Sequence, residues 1–159
     1  MCTYYRTIKD GSVKKFKFEL DRNTYVLTNY QDITFYFTVE ERFIHFTIDT
    51  RYNANMGYGT ALLSIVFDYS TNKNFDFICG WLSTADYYNG NWQNSIPFYL
   101  NINTNSFMIK ETQRMRNIYP TFNNFMDFYN NYEHYYNYEQ FTQAICDGYI
   151  IYPLVAIEA

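Results

Sequence analysis

The chain has 159 residues, a length that fits one domain and can bury a substantial core. Hydrophobic residues make up 48% and charged residues 18%, which excludes a disordered chain. There are 19 Tyr and 15 Phe, but the net charge is −4, so the aromatics read as core and surface residues. A base-stacking platform comes with a basic groove, and general binding of nucleic acid is not expected. Lys14, Lys15 and Lys17 form one local basic cluster.

Cys2, Cys79 and Cys146 are far apart and form no C-x-x-C, so their spacing fits neither a disulfide framework nor a zinc knuckle. They read as thiols in a reducing cytoplasm. The first fifteen residues hold no apolar segment of the signal-peptide type. No run of about 18 apolar residues is present, so no membrane span is expected. A soluble, cytoplasmic protein is the expectation.

Residues 13–49 read as consecutive strands. Lys15–Leu20 alternates polar and apolar, and Thr24–Thr28 is β-prone beyond a turn at residues 21–23. Ile33–Val39 and Arg42–Asp49 are dense in β-branched and aromatic residues, and Glu40-Glu41 joins them as an antiparallel hairpin. Residues 60–72 place Leu62, Leu63, Val66, Phe67 and Ser70 on one helical face. Phe75–Leu82 reads as the next strand, so strand, helix and strand follow as a βαβ unit with a right-handed crossover. Trp92–Leu100 reads as a short helix, late or kinked because of Pro97, and Ser106–Ile109 as a strand. Pro120 opens a helix with Phe122, Phe125, Met126, Tyr129 and Tyr132 on one face, and a second helix follows a capping box at 137–140. Residues 149–157 read as a last strand, in which Pro153 argues for an edge or a bulge.

The organising stretch is Arg51–Leu63, RYNANMGYGTALL. Gly57 and Gly59 lie between the end of a strand and the start of a helix. Such a turn presents free backbone N–H groups and the positive end of the helix dipole, and glycines let a ligand approach the backbone. It can equally be a plain strand–helix connection.

Two sets of residues at this separation resemble the GNAT N-acetyltransferase superfamily. Gly57-Tyr58-Gly59-Thr60-Ala61-Leu62-Leu63 is similar to its pyrophosphate loop, Q/R-x-x-G-x-G/A. About twenty residues on, Ile78–Ser83, Asp86 and Phe98-Tyr99 are similar to its second signature, and Asn91 stands where many members have Asn. Together these cover about residues 42–100. Ala54 stands at the Q/R position, and residues 100–104 replace the K-x-G-F of many members. The resemblance implies an α+β (α/β) fold: a mixed, mostly antiparallel sheet around a central βαβ unit. Residues 1–159 would form a single domain, with a helical insertion or extension over about 111–148 and a final strand over about 149–157.

The resemblance also implies a chemistry, in which acetyl-CoA is the cosubstrate and a primary amine the acceptor. Backbone N–H groups from Met56 through Gly57, Tyr58, Gly59 and Thr60 to Ala61 would hold the pyrophosphate. Thr47, Ile48 and Asp49 would pair with pantetheine, and Asn91 would assist. Tyr99 would give a proton to the leaving thiolate. For the general base, strand alternation puts Glu41, Phe43, His45 and Thr47 on one face, so His45 and Glu41 are the candidates. The plainer alternatives stay open: Tyr99 as a core tyrosine, His45 as a structural histidine, Glu41 as a solvated turn residue. No spacing suits a metal, a nucleophile elbow or a Walker lysine.

Three readings result. The first is an acetyl-CoA-dependent N-acetyltransferase. The second is a non-catalytic domain of the same fold. The third is an interaction protein whose aromatic helix over 121–146 packs on a partner or forms a homodimer, although packing on its own sheet is the simpler use.

Overall fold

The computed structural model describes residues 2–49, 56–82, 98, 102, 107–110, 135–136 and 148–154. They form the strands β1 (Cys2–Thr7), β2 (Val13–Asp21), β3 (Thr24–Leu27), β4 (Thr34–Val39) and β5 (Phe43–Asp49), the helix α1 (Tyr58–Ser70), and the strands β6 (Phe77–Leu82), β7 (Phe107–Lys110), β8 (Tyr135–Tyr136) and β9 (Gly148–Pro153). This is an α+β chain. The ladders β1–β2, β2–β3, β3–β4, β6–β9, β7–β9 and β7–β8 all run antiparallel. No helix among the described residues is long and apolar enough to cross a membrane.

The chain divides into two compact units, and β5 contributes to both. The first comprises Met1–Glu40 and His45–Asn74, with strand order β1-β2-β3-β4-β5 and the whole of α1. Strand β1 was not anticipated. Its sequence CTYYRT carries no apolar stripe, yet its burial alternates, with Cys2, Tyr4 and Arg6 half-buried and Thr3, Tyr5 and Thr7 exposed. The turn that returns it to β2 is local chemistry. The Asp10 carboxylate accepts from the Ser12 N–H at 2.8 Å and the Ser12 hydroxyl at 2.6 Å, and Gly11 adopts φ +87°.

Aromatic residues on alternate strand positions fill the core of this unit. Phe16, Phe18, Phe35 and Phe37 are buried, and Phe18 meets Tyr4, Phe35 and Phe37 at ring separations of 6.0, 6.0 and 5.8 Å. On α1 the fully buried residues are Leu62, Leu63, Ile65 and Val66, a wider stripe than the expected face, and Phe67 is half-buried. Arg6 of β1 anchors the helix: it pairs with Asp68, and its Nε donates to the Ser64 hydroxyl at 2.9 Å. The helix ends two residues before the expected boundary. Asn72 is left-handed at φ +63°, and the Lys73 ammonium donates to the Tyr69 carbonyl at 2.8 Å.

The second unit comprises Glu41–Ile44 and Phe75–Ala159. Its order runs from the first residues of β5 through β6, β9 and β7 to β8. Strand β9 therefore lies between β6 and β7 rather than at an edge, which corrects the expectation from Pro153. That proline is tolerated because it is the last residue of the strand, opposite Phe77. The expected helix over 121–146 is corrected at Tyr135–Tyr136, where the chain is extended and paired with β7. A regular helical period does not prevent strand pairing when Tyr and Phe, both β-formers, supply it. The rest of 111–147 lies outside the described residues, as does the expected helix 92–100 apart from Phe98.

One charged contact holds the start of β6. The Asp76 carboxylate is buried and takes two hydrogen bonds from Arg42, at 2.9 and 3.2 Å. Its backbone bridges both neighbours: Asp76 N–H donates to the Arg42 carbonyl at 2.6 Å, and Leu154 N–H to the Asp76 carbonyl at 2.9 Å. Phe43 and Phe77 stack beside it with centroids 5.0 Å apart. The two partners differ in exposure, 41% for the Arg42 side chain and 6% for that of Asp76. Removing Arg42 takes the cation away from a buried carboxylate, whereas removing Asp76 leaves a guanidinium that reaches water. Chemical denaturation of Arg42→Ala and Asp76→Ala is thus expected to show the larger loss for Arg42→Ala; the reverse order would contradict this account of the pair.

Candidate functional site

Strand β5 changes character along its length. Phe43, Ile44 and Phe46 are buried, while His45, Thr47, Ile48 and Asp49 are half-buried. The strand is buried at its start and half-buried at its end. Residues 50–55, which include Ala54, lie outside the described residues.

The turn is fixed by Gly57, the N-cap of α1, at φ +91° and ψ +4°. Two constraints select glycine there. The left-handed conformation is strained for other residues, and a Cβ would lie 2.8 Å from the Lys9 backbone nitrogen and 3.3 Å from the Lys9 Cβ. The approach is close because Lys9 N–H donates to the Met56 carbonyl at 3.1 Å, which ties this turn to the β1–β2 turn. Tyr58 then enters the core, with its ring 5.7 Å from Tyr30 and 6.3 Å from Phe16. Gly57 and Tyr58 thus have complete structural reasons for their identities, whatever the turn binds.

The first intrahelical bond is Ala61 N–H to the Gly57 carbonyl, at 3.1 Å. The amides of Tyr58, Gly59 and Thr60 precede it. No side chain caps this end, and its first turn holds no acidic residue. Three aligned N–H groups and the positive end of the helix dipole are what an anion requires. Gly59 is half-buried and Thr60 exposed, and Met56 is 43% exposed. The side chains of Tyr58 and Ala61 face the core, so any contribution of these two residues to a ligand comes from the backbone.

Of the candidate acid–base residues, His45 is half-buried in β5, with its Nε2 3.6 Å from Glu40 Oε1. Burial pushes its imidazole below the ordinary value, against the opposing pull of Glu40. Glu41 is exposed in the turn between β4 and β5. Tyr99 and Asn91 lie outside the described residues. The structure therefore brings Thr47, Ile48, Asp49 and His45 onto one strand and Met56–Ala61 onto the turn and first helical residues that follow.

Two residues escaped the sequence reading. Glu40 was passed over because the alternation was counted from residue 41, whereas β5 begins at Phe43 and residues 40–42 form the turn. Lys9 carried no local signal, because its contact with Gly57 spans 48 residues of sequence. Among the described residues, no three His, Cys, Asp or Glu side chains are grouped to hold a metal ion. No protein-family model, no curated protein and no solved structure matches the chain.

The Gly57 geometry sets a stability test. Gly57→Ala adds backbone strain and a clash with the Lys9 backbone, an expected loss of about 1–3 kcal/mol in urea unfolding. A loss below about 0.5 kcal/mol, the range of ordinary surface substitutions, would contradict this role.

Proposed function

We propose that the chain is an acetyl-CoA-dependent N-acetyltransferase of GNAT type, transferring an acetyl group to a primary amine by direct attack. The observation that carries the proposal is the uncapped N-terminus of α1, set by a left-handed Gly57, in a chain whose preceding strand β5 ends half-buried. The similarity of Gly57–Leu63, Ile78–Ser83 and Phe98-Tyr99 to the family's signatures supports it. In this reading the path from β5 through α1 to β6 is a parallel, right-handed crossover.

The pyrophosphate of CoA lies on the amides of Tyr58, Gly59 and Thr60, with the Thr60 hydroxyl as a further donor. Backbone donors and a helix dipole suit an acidic chain, since they need no lysine. They also compensate for Ala54, where a longer polar side chain is usual. Pantetheine pairs with the backbone of Thr47, Ile48 and Asp49, and Asn91 assists. A backbone N–H of this strand stabilises the oxyanion that develops on the thioester carbonyl. The amine nitrogen forms the new C–N bond, the C–S bond breaks, and the thiolate takes a proton from Tyr99. In this reading the work is done in the cytoplasm, and the acceptor is a small polyamine, an amino sugar or a protein terminus.

A second reading, a CoA-binding domain without transferase activity, is favoured by two particulars: Ala54, and residues 100–104 in place of K-x-G-F. The two readings part experimentally. Calorimetry is expected to show acetyl-CoA binding, and a thiol-release assay over a panel of amines is expected to show turnover. Tyr99→Phe is expected to lower turnover by roughly 10²-fold or more, the scale of a lost general acid, with little change in acetyl-CoA affinity. Absence of both heat and thermal shift at millimolar acetyl-CoA would overturn the proposal. Binding without thiol release would favour the second reading.

A further inference from the structure

Strand β1 stands at the end of the sheet, and among the described residues β2 is its one neighbouring strand. Hydrogen bonds on the far side of β2 show which way the backbone of β2 points. Lys17 N–H donates to the Asn29 side-chain carbonyl at 3.0 Å, and the Lys17 carbonyl accepts from Thr28 N–H at 2.9 Å. The Lys15 carbonyl accepts from the Asn29 side-chain amide at 2.8 Å. Lys15 and Lys17 thus direct these groups away from β1. Their partners across the ladder, Tyr5 and Thr3, form non-hydrogen-bonded pairs with them and point away from β2, and Thr7 follows by alternation. The N–H and C=O groups of Thr3, Tyr5 and Thr7 therefore line an open edge. None of these N–H groups donates to a protein acceptor among the described residues. The Tyr5 carbonyl accepts from the Arg6 guanidinium at 2.9 Å and keeps a second lone pair.

Exposed sheet edges are usually blunted by a proline, a bulge or an outward charge. Strand β1 has none of these. Its register with β2 is unbroken from Cys2 to Thr7. Its exposed residues Thr3, Tyr5 and Thr7 are uncharged β-formers, and Tyr5 is 59% exposed. The one charge, Arg6, is half-buried and held on the side of α1 by Asp68 and Ser64.

We propose that β1 is a contact between two copies of this chain, joined as antiparallel strands about a two-fold axis at Tyr5. The proposal does not rest on the acetyltransferase reading. In this register Tyr5 meets Tyr5 of the second copy, and Thr3 meets its Thr7. These are the residues whose backbone groups face outward, so each such pair exchanges both N–H···O bonds. One patch serves both copies, as a two-fold interface requires. An axis at Thr3 or at Thr7 would pair fewer residues of the strand. The side chains agree with the register at Tyr5. Aromatic pairs and Thr–Thr pairs are favourable across strands, and no like charges stand opposite each other. Arg6, which lies 5.6 Å from the ring centre of its own Tyr4, falls opposite Tyr4 of the second copy. The contact is one strand wide, at the small end of protein interfaces, which fits a dimer that dissociates on dilution.

Sedimentation of the full chain over a concentration series up to millimolar tests the contact. Reductant in the buffer excludes a disulfide through Cys2. The mass is expected to rise from 19.2 kDa to twice that value. Tyr5→Lys sets like charges face to face at the axis, as does Tyr5→Glu, and each is expected to weaken association by roughly tenfold or more. An equimolar mixture of the two variants is expected to associate again, because opposite charges then meet.

A chain that stays at 19.2 kDa throughout would overturn the proposal. So would a dimer that neither variant weakens, or variants that do not recombine. Should a variant fail to fold, amide exchange on the wild type decides. The N–H groups of Thr3, Tyr5 and Thr7 should slow by about tenfold or more as the dimer forms. Exchange at these amides that does not change on dimerisation would place the contact elsewhere.

Discussion

The approach of Lys9 to Gly57 is the contact on which the arrangement at the start of α1 depends. Lys9 lies in the turn that closes the β1–β2 hairpin, and its N–H is bound to the carbonyl of Met56. That hydrogen bond leaves no room for a Cβ at residue 57. The backbone can then leave Gly57 in a left-handed conformation and begin the helix at once, without a side-chain cap. The burial of Tyr58 among Phe16 and Tyr30 holds the first turn in place. A long-range contact thus aims the dipole of α1 and leaves three amides available at its end. The same contact weakens any inference that takes the glycine itself as a sign of a ligand.

The second constraint is graded burial along β5. Its start is held against the start of β6: Phe43 stacks on Phe77, and Arg42, the residue before the strand, chelates the buried Asp76. Its later residues are half-buried, and there the polar side chains His45, Thr47 and Asp49 occur. This strand, buried at its start and half-buried at its end, is the one on which the proposed function places pantetheine. Packing of this kind suits catalysis, since a base or a donor must be held near its working geometry. Glu40, at the end of the adjoining strand, brings a carboxylate to the one titratable ring on this segment.

The sequence made the period-2 strands and the amphipathic helix legible because their patterns are local. Lys15–Leu20, Thr24–Thr28, Ile33–Val39 and Phe75–Leu82 match β2, β3, β4 and β6 to within two residues at each end. Strand β1 was missed because Thr, Tyr and Arg serve either face, so alternation leaves no mark. Tyr135–Tyr136 was misread for a related reason: aromatic residues can satisfy a helical spacing and still pair as a strand. The position of β9 between β6 and β7 is a matter of tertiary pairing, which no local pattern encodes. At the site, the glycine turn was visible, while the partners Lys9 and Glu40 were not. One acts across distant sequence, and the other was passed over because the alternation was counted from Glu41 although the strand begins at Phe43.

The central claim is that the amides at the start of α1 receive the CoA pyrophosphate beside the end of β5. The most direct measurement is a 1H–15N correlation spectrum of the full chain, titrated with acetyl-CoA. The account predicts progressive, saturable shifts concentrated at the amides of Gly57–Ala61, with a second set at Thr47–Asp49. A spectrum unchanged at these amides at millimolar ligand, or shifts that cluster elsewhere, would contradict it.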